Sequence, residues 1–116
     1  MEDNQQFLRY LDDKKSIKYY IKEYIEKCSN DLRGAKVLDC PAGNGATSYL
    51  LNKAGAQVIA ADLFPESFSL KGVQCLKIDM TQKWPFEDEI FDYIFCQEGI
   101  EHLSDPFHFF RQASRC

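Results

Sequence analysis

Three aspartates, Asp39, Asp62 and Asp79, each close a short apolar run, in KVLD, QVIAAD and VQCLKID. The first is followed within six residues by Pro41, Gly43 and Gly45 and then by a helix-compatible pattern, so Lys36 to Leu51 reads as strand, glycine turn and helix start. Such a turn lets backbone approach a ligand closely and aims free helix N–H groups at it. Asp39 sets the sign of that ligand, because a carboxylate beside the turn repels a pyrophosphate and holds a cation. From Gly43 the chain runs GNGATS, which puts Ser48 where the third glycine of a dinucleotide fingerprint belongs.

Asp62 follows the turn by roughly the 20 residues at which a Rossmann unit places its ribose-binding acid, and a carboxylate there accepts from both ribose hydroxyls. Alone it does not separate nicotinamide cofactors from other adenosine ligands. Combined with Asp39 and the missing third glycine, it favours S-adenosylmethionine over NAD, since the former carries a sulfonium and an ammonium and no phosphate.

The elements that must position these acids follow from periodicity. Asn4 to Cys28 is helical in pattern, with Phe7, Leu8, Leu11, Ile17, Tyr20, Ile21, Tyr24, Ile25 and Cys28 at three- and four-residue steps. Lys14, Lys15, Lys18, Lys22 and Lys27 interleave with acids and read as a solvated face, while Tyr19, Tyr20 and Tyr24 are expected to pack on the sheet. Asn30, Asp31 and Gly34 read as a linker. Strands are expected at Lys36–Asp39, Gln57–Asp62, Val73–Ile78 and Phe91–Cys96, and helices at Ala46–Ala54 and Phe107–Arg115, the last with Pro106 in its first turn. Between the last two strands, Trp84, Pro85 and Phe86 fall in a polar loop. The alternation predicts an α/β, Rossmann-like parallel sheet with helices on both faces, and right-handed crossovers give strand order 3-2-1-4. Residues 1–33 then form an N-terminal helical segment and linker, and 34–116 the ligand-binding core of a single domain.

Length and composition agree with that size of fold. The chain has 116 residues, 45% hydrophobic and 28% charged, enough for one modest core. Its net charge of -4 argues against a general nucleic-acid binder without excluding a local basic patch. No apolar run approaches a membrane span, and the N-terminus has no secretory pattern. Five cysteines, Cys28, Cys40, Cys75, Cys96 and Cys116, form no CxxC pair and read as reduced thiols of a cytoplasmic protein.

From Gly34 onward the sequence resembles the class I S-adenosylmethionine-dependent methyltransferases. VLDCPAGNG is similar to their VLDxGxGxG turn, with Pro41 in place of the first glycine. Pro85, Phe86, Asp88, Phe91, Asp92 and Cys96 match PFxDxxFDxxxC, and Glu101, His102, Leu103, Asp105 and Pro106 match the EHL and DP that follow. The resemblance implies that Asp39 and the backbone of Ala42, Gly43 and Gly45 hold the methionine end of the cofactor. Asp62 would hold the ribose with Leu63 along it, and Asp79 and the Met80 backbone would meet the adenine. Gln97, at the end of the fourth strand, joins this cofactor set. The family's sheet usually has seven strands, so the chain is expected to be an N-terminal fragment.

The activity implied is methyl transfer to an acceptor, with a small molecule favoured and nucleic acid or protein still open. The alternatives are a non-catalytic adenosine-cofactor module and, further off, an NAD-binding oxidoreductase domain. In QEGIEH, residues 97–102, a helical turn would place Glu98, Glu101 and His102 on one face. That pattern resembles ubiquinone-pathway and small-RNA O-methyltransferases in which such residues hold a metal. Gly99 opposes a regular helix and no fourth ligand is evident, so an orienting role is favoured, no metal is expected, and His102 is the one candidate for proton transfer.

Overall fold

A computed structural model describes residues 11, 14, 15, 17–97 and 103–116. Four parallel strands form one sheet: β1 (Lys36–Asp39), β2 (Gln57–Asp62), β3 (Cys75–Lys77) and β4 (Tyr93–Phe95). Their order is β3-β2-β1-β4, as expected. Asp39 sits level with Ala60 of β2 and Phe95 of β4, and Asp62 sits level with Lys77 of β3. All the strand ends that carry chemistry therefore open on the same side of the sheet.

β1 is central because it is apolar on both faces. Val37 is buried among Ile25, Leu50 and Leu51, while its neighbour Leu38 is buried on the opposite side among Ile78, Trp84 and Phe109. Successive strand residues point to opposite faces, so a strand covered on both sides reads as a continuous apolar run. Helices α1 (Ile17–Lys27), α2 (Ser29–Leu32) and α3 (Ala46–Lys53) belong to the first face. On the second face lies α4 (Pro106–Arg115), whose first turn is capped by the Asp105 carboxylate accepting from the His108 N–H. Among the described residues no helix is long and apolar enough to cross a membrane.

Several expectations need correcting. The first helix does not run unbroken, because Lys14 and Lys15 form a turn and the regular helix begins at Ile17; the parts of that expectation at residues 4–10, 12, 13 and 16 lie outside the described residues. Asn30 and Asp31 are not linker but belong to α2, which turns back to bury Leu32 in the first core. Tyr20 and Tyr24 remain largely exposed, although Tyr24 meets the Phe95 ring edge-on. β3 and β4 are shorter than their apolar runs. Just before β4 Asp92 N donates to Lys36 O, and just after β1 Cys40 N donates to Phe95 O, so isolated bonds flank the regular ladder.

Trp84 is the largest departure. Expected in a polar loop, it is among the most completely buried side chains. Its ring meets Phe109 edge-on at 5.3 Å, and its indole N–H donates to Met80 O. Between β3 and β4 the described chain has no helix, and this tryptophan fills the space against the second face instead. Likewise only a short 3-10 turn, Pro65–Ser67, lies between β2 and β3, where Phe68 and Leu70 pack into the first core.

Candidate cofactor site

The site begins at the end of β1. Ala42 N donates to Ala61 O, which fastens the glycine turn to the neighbouring strand. Gly43 has φ 57° and Gly45 φ 102°, left-handed values that favour glycine. A Cβ on Gly45 would come within 3.1 Å of both Leu70 and Phe68, so this residue is required for space as well as for conformation. Asn44 steadies the turn between them. Its side-chain oxygen accepts from Ala46 N at the start of α3, and its carbonyl accepts from both the N–H and the hydroxyl of Ser69.

Asp62 is held at the lip of this turn. One carboxylate oxygen accepts from Gly43 N and the other from Phe64 N, each at 2.9 Å. Each oxygen keeps further acceptor capacity for a ligand hydroxyl. The Asp62 carboxylate is therefore aimed before any ligand arrives.

Asp39 is placed otherwise than its reading as a direct cation holder requires. It is only 1% exposed, beneath the turn, and accepts from the Ser48 hydroxyl at 2.7 Å. Burial raises its pKa to about 6, opposed by the Ser48 hydroxyl and the Lys18 ammonium and assisted by the charge of Asp62. In this arrangement Asp39 reaches the cleft by its field and not by contact.

A cleft of about 400 Å³ lies above, lined by Lys18, Pro41, Ala42, Gly43, Asn44, Ala46, Asp62 and Gln97. Lys18, expected on a solvated face, instead reaches in from α1, its ammonium donating to Thr47 Oγ1 and Gln97 Oε1, both at 2.8 Å. Thr47 donates in turn to the same Gln97 oxygen, which leaves the amide nitrogen of Gln97 buried with no partner among the described residues. A buried donor without an acceptor is costly, and a polar ligand in the cleft would supply one.

Of the residues singled out by sequence, Ala42, Gly43, Asp62 and Gln97 line the cleft, and Asp39 and Gly45 lie buried beneath it. Leu63, Asp79 and Met80 sit outside its lining. Asp79 is nonetheless alongside, because Ile78 N donates to Asp62 O. Its carboxylate accepts from the hydroxyl and the N–H of Thr81, which hold it below the usual carboxylate range. Glu98, Glu101 and His102 lie outside the described residues. Among the described residues no group of three His, Cys, Asp or Glu side chains is placed to hold a metal ion. Burial raises the Cys40 thiol strongly and pushes Cys75 up to about 11, so neither is a ready nucleophile.

The residues present fit S-adenosylmethionine. Gly43 opens on free space, Asp62 offers acceptors suited to a ribose, Gln97 has a donor to satisfy, and Lys18 and Asp39 carry the two signs of charge that an amino-acid end requires. A family model described as a methyltransferase domain matches residues 38–116. The chain belongs to the methyltransferase family. S-adenosylmethionine is the cofactor of these methyltransferases.

Among curated relatives, the ubiquinone biosynthesis O-methyltransferase of Actinobacillus pleuropneumoniae is 36% identical over 98 residues, covering 72% of this chain and 42% of that protein. The chain thus spans less than half the length of this relative. Among solved structures, a SAM-dependent methyltransferase from Aquifex aeolicus matches with TM-score 0.68 and 26% identity, covering 99% of this chain and 67% of its own. A putative methyltransferase from an antibiotic biosynthesis pathway of Anabaena variabilis matches with TM-score 0.71 and 21% identity, covering 84% and 40% respectively, and supports the fold alone.

Proposed function

We propose that this methyltransferase chain holds S-adenosylmethionine in the cleft above the glycine turn, for methyl transfer to a small-molecule acceptor. The observation that carries the reading is the Asp62 carboxylate, anchored by two backbone N–H groups beside the open face of Gly43. Bound S-adenosylmethionine supplies a methyl group already activated on a sulfonium, so the protein's share is binding and alignment. Asp62 accepts from the ribose hydroxyls, with Leu63 along the sugar. Asp79 and the Met80 backbone serve the adenine. Lys18 and the free amide N–H of Gln97 take the carboxylate of the methionine end, while the Ala42–Gly45 backbone and the buried charge of Asp39 favour its ammonium.

In this reading residues 34–116 form the cofactor-binding core and 1–33 an N-terminal segment, whose helices Ile17–Lys27 and Ser29–Leu32 pack against it. A hydroxyl-bearing small molecule as acceptor is supported by the name of the ubiquinone-pathway relative and by the chain's net charge of -4. Five cysteines, with no disulfide among the described residues, support a reducing, cytoplasmic setting.

Calorimetry with S-adenosylhomocysteine and NAD tests the cofactor. The former is expected to bind and the latter not, and tighter binding of NAD would overturn the reading. Transfer of a labelled methyl group from S-adenosylmethionine to hydroxylated aromatic compounds, RNA and protein tests the acceptor; label on RNA or protein alone would refute the small-molecule assignment.

A further inference from the structure

We propose that Ser48 is a positioning residue for cofactor binding, its hydroxyl holding Asp39 ionised beneath the glycine turn so that the pair together sets the affinity for the ammonium of the methionine end. This rests on the reading of the cleft as an S-adenosylmethionine site.

The geometry is that of a built pair. Ser48 has no exposed surface, Asp39 almost none, and the hydroxyl lies 2.7 Å from the carboxylate. A serine in the first turn of a helix usually turns to solvent or to local backbone. Here it is turned from α3 onto the end of β1, where a dinucleotide-binding turn would place a glycine with no side chain at all. A buried carboxylate without donors would lose its charge to a proton. Ser48 provides such a donor from its hydroxyl, and its backbone N–H adds a smaller effect of the same sign.

The other charged groups acting on Asp39 come from separate elements. Lys18 on α1 favours the ionised form, and Asp62 at the end of β2 disfavours it. Cys40 and Cys75 are neighbours in the same field, both kept protonated by burial. Lys18 and Asp62 both line the cleft, so the field of Asp39 extends to where a ligand lies. With its pKa raised to about 6, Asp39 stays charged at neutral pH by a modest margin. Loss of the Ser48 hydroxyl removes much of that margin.

The test compares two probes over pH 5–8. S-adenosylhomocysteine carries the ammonium, and 5′-methylthioadenosine lacks the whole amino-acid end. In the wild type, affinity for S-adenosylhomocysteine is expected to fall as pH drops through about 6, by up to tenfold per pH unit, while 5′-methylthioadenosine stays level. In Ser48→Ala the fall is expected to begin about one pH unit higher. Asp39→Asn keeps an acceptor for Ser48 but carries no charge, so its affinity for S-adenosylhomocysteine should be weak and level with pH. This second variant decides the matter if the first does not fold. An unmoved midpoint in Ser48→Ala, a level wild-type profile, or the same fall for both probes overturns the inference while leaving the cofactor reading in place. No binding of S-adenosylhomocysteine at any pH overturns both.

Discussion

Gly43 N donates to Asp62 Oδ2 across 2.9 Å, so the turn after β1 aims the acid at the end of β2. Phe64 N donates to the other oxygen. An acceptor oriented by two backbone donors has little freedom to lose when a ribose binds.

Replacing Asp62 by alanine should therefore weaken S-adenosylhomocysteine binding by about 1.5–3 kcal/mol, the range for hydrogen bonds to a charged group. Asparagine should not rescue it, because its amide nitrogen would face one of the two backbone N–H groups. Calorimetry on both variants checks this, and near-wild-type affinity in Asp62→Asn would refute the ribose assignment.

Lys18 makes a separable prediction. Its ammonium lies in the cleft between Thr47 and Gln97, where an incoming carboxylate can take over its hydrogen bonds. Lys18→Met should lower affinity for S-adenosylhomocysteine by roughly tenfold or more and leave 5′-methylthioadenosine unchanged. Equal losses for the two ligands would mean that Lys18 braces the fold and does not meet the amino-acid end.

The sheet was legible in the sequence because β1 and the end of β2 are buried apolar runs and the first three strand runs are each closed by an acid. KVLD and QVIAAD give the observed β1 and β2 residue for residue. The glycine turn was legible for the same reason, since left-handed backbone at Gly43 and Gly45 restricts the residue type. Lys18 was not, because nothing in a run of alternating charges marks which lysine turns inward. Trp84 was missed because local polarity around it says loop, whereas its burial depends on Phe109 arriving from 25 residues further on. The sense of Asp39 was half legible. Its place at the strand end follows from the run, but its burial depends on Ser48 folding back over it.

Arg115 offers a test of how the second face is held. Its guanidinium donates to Trp84 O, Phe86 O, Gln112 Oε1 and Asp88 Oδ1, tying α4 to the loop that carries Trp84. The Asp88 carboxylate is largely exposed, so that ion pair adds little; the two carbonyls matter more. Arg115→Ala should destabilise the chain by about 2–4 kcal/mol in urea unfolding. Arg115→Lys should recover less than half of this, since a single ammonium cannot replace the planar fork. Full recovery by lysine would show that charge alone matters there.

Asp39 gives a prediction of opposite sign for stability and for binding. Its pKa is raised from 3.8 to about 6 in the fold, chiefly by burial. A folded chain that binds a proton more tightly than the unfolded chain is favoured at low pH. The contribution is fully present below the unfolded value, and it is lost as pH rises through about 6. By neutral pH the ionised carboxylate has cost about 3 kcal/mol relative to its protonated form. Asp39→Asn carries no such charge and keeps an acceptor for the Ser48 hydroxyl. The variant should differ little from wild type near pH 4 and become more stable than it between pH 4 and 7, by up to about 3 kcal/mol. Urea unfolding of both chains across that range measures the difference directly. A constant difference, or a variant less stable at pH 7, would mean that Asp39 is ionised without penalty in the free protein. The same substitution should weaken S-adenosylhomocysteine binding at pH 7, because the charge that burdens the empty fold is the one that the ligand's ammonium offsets.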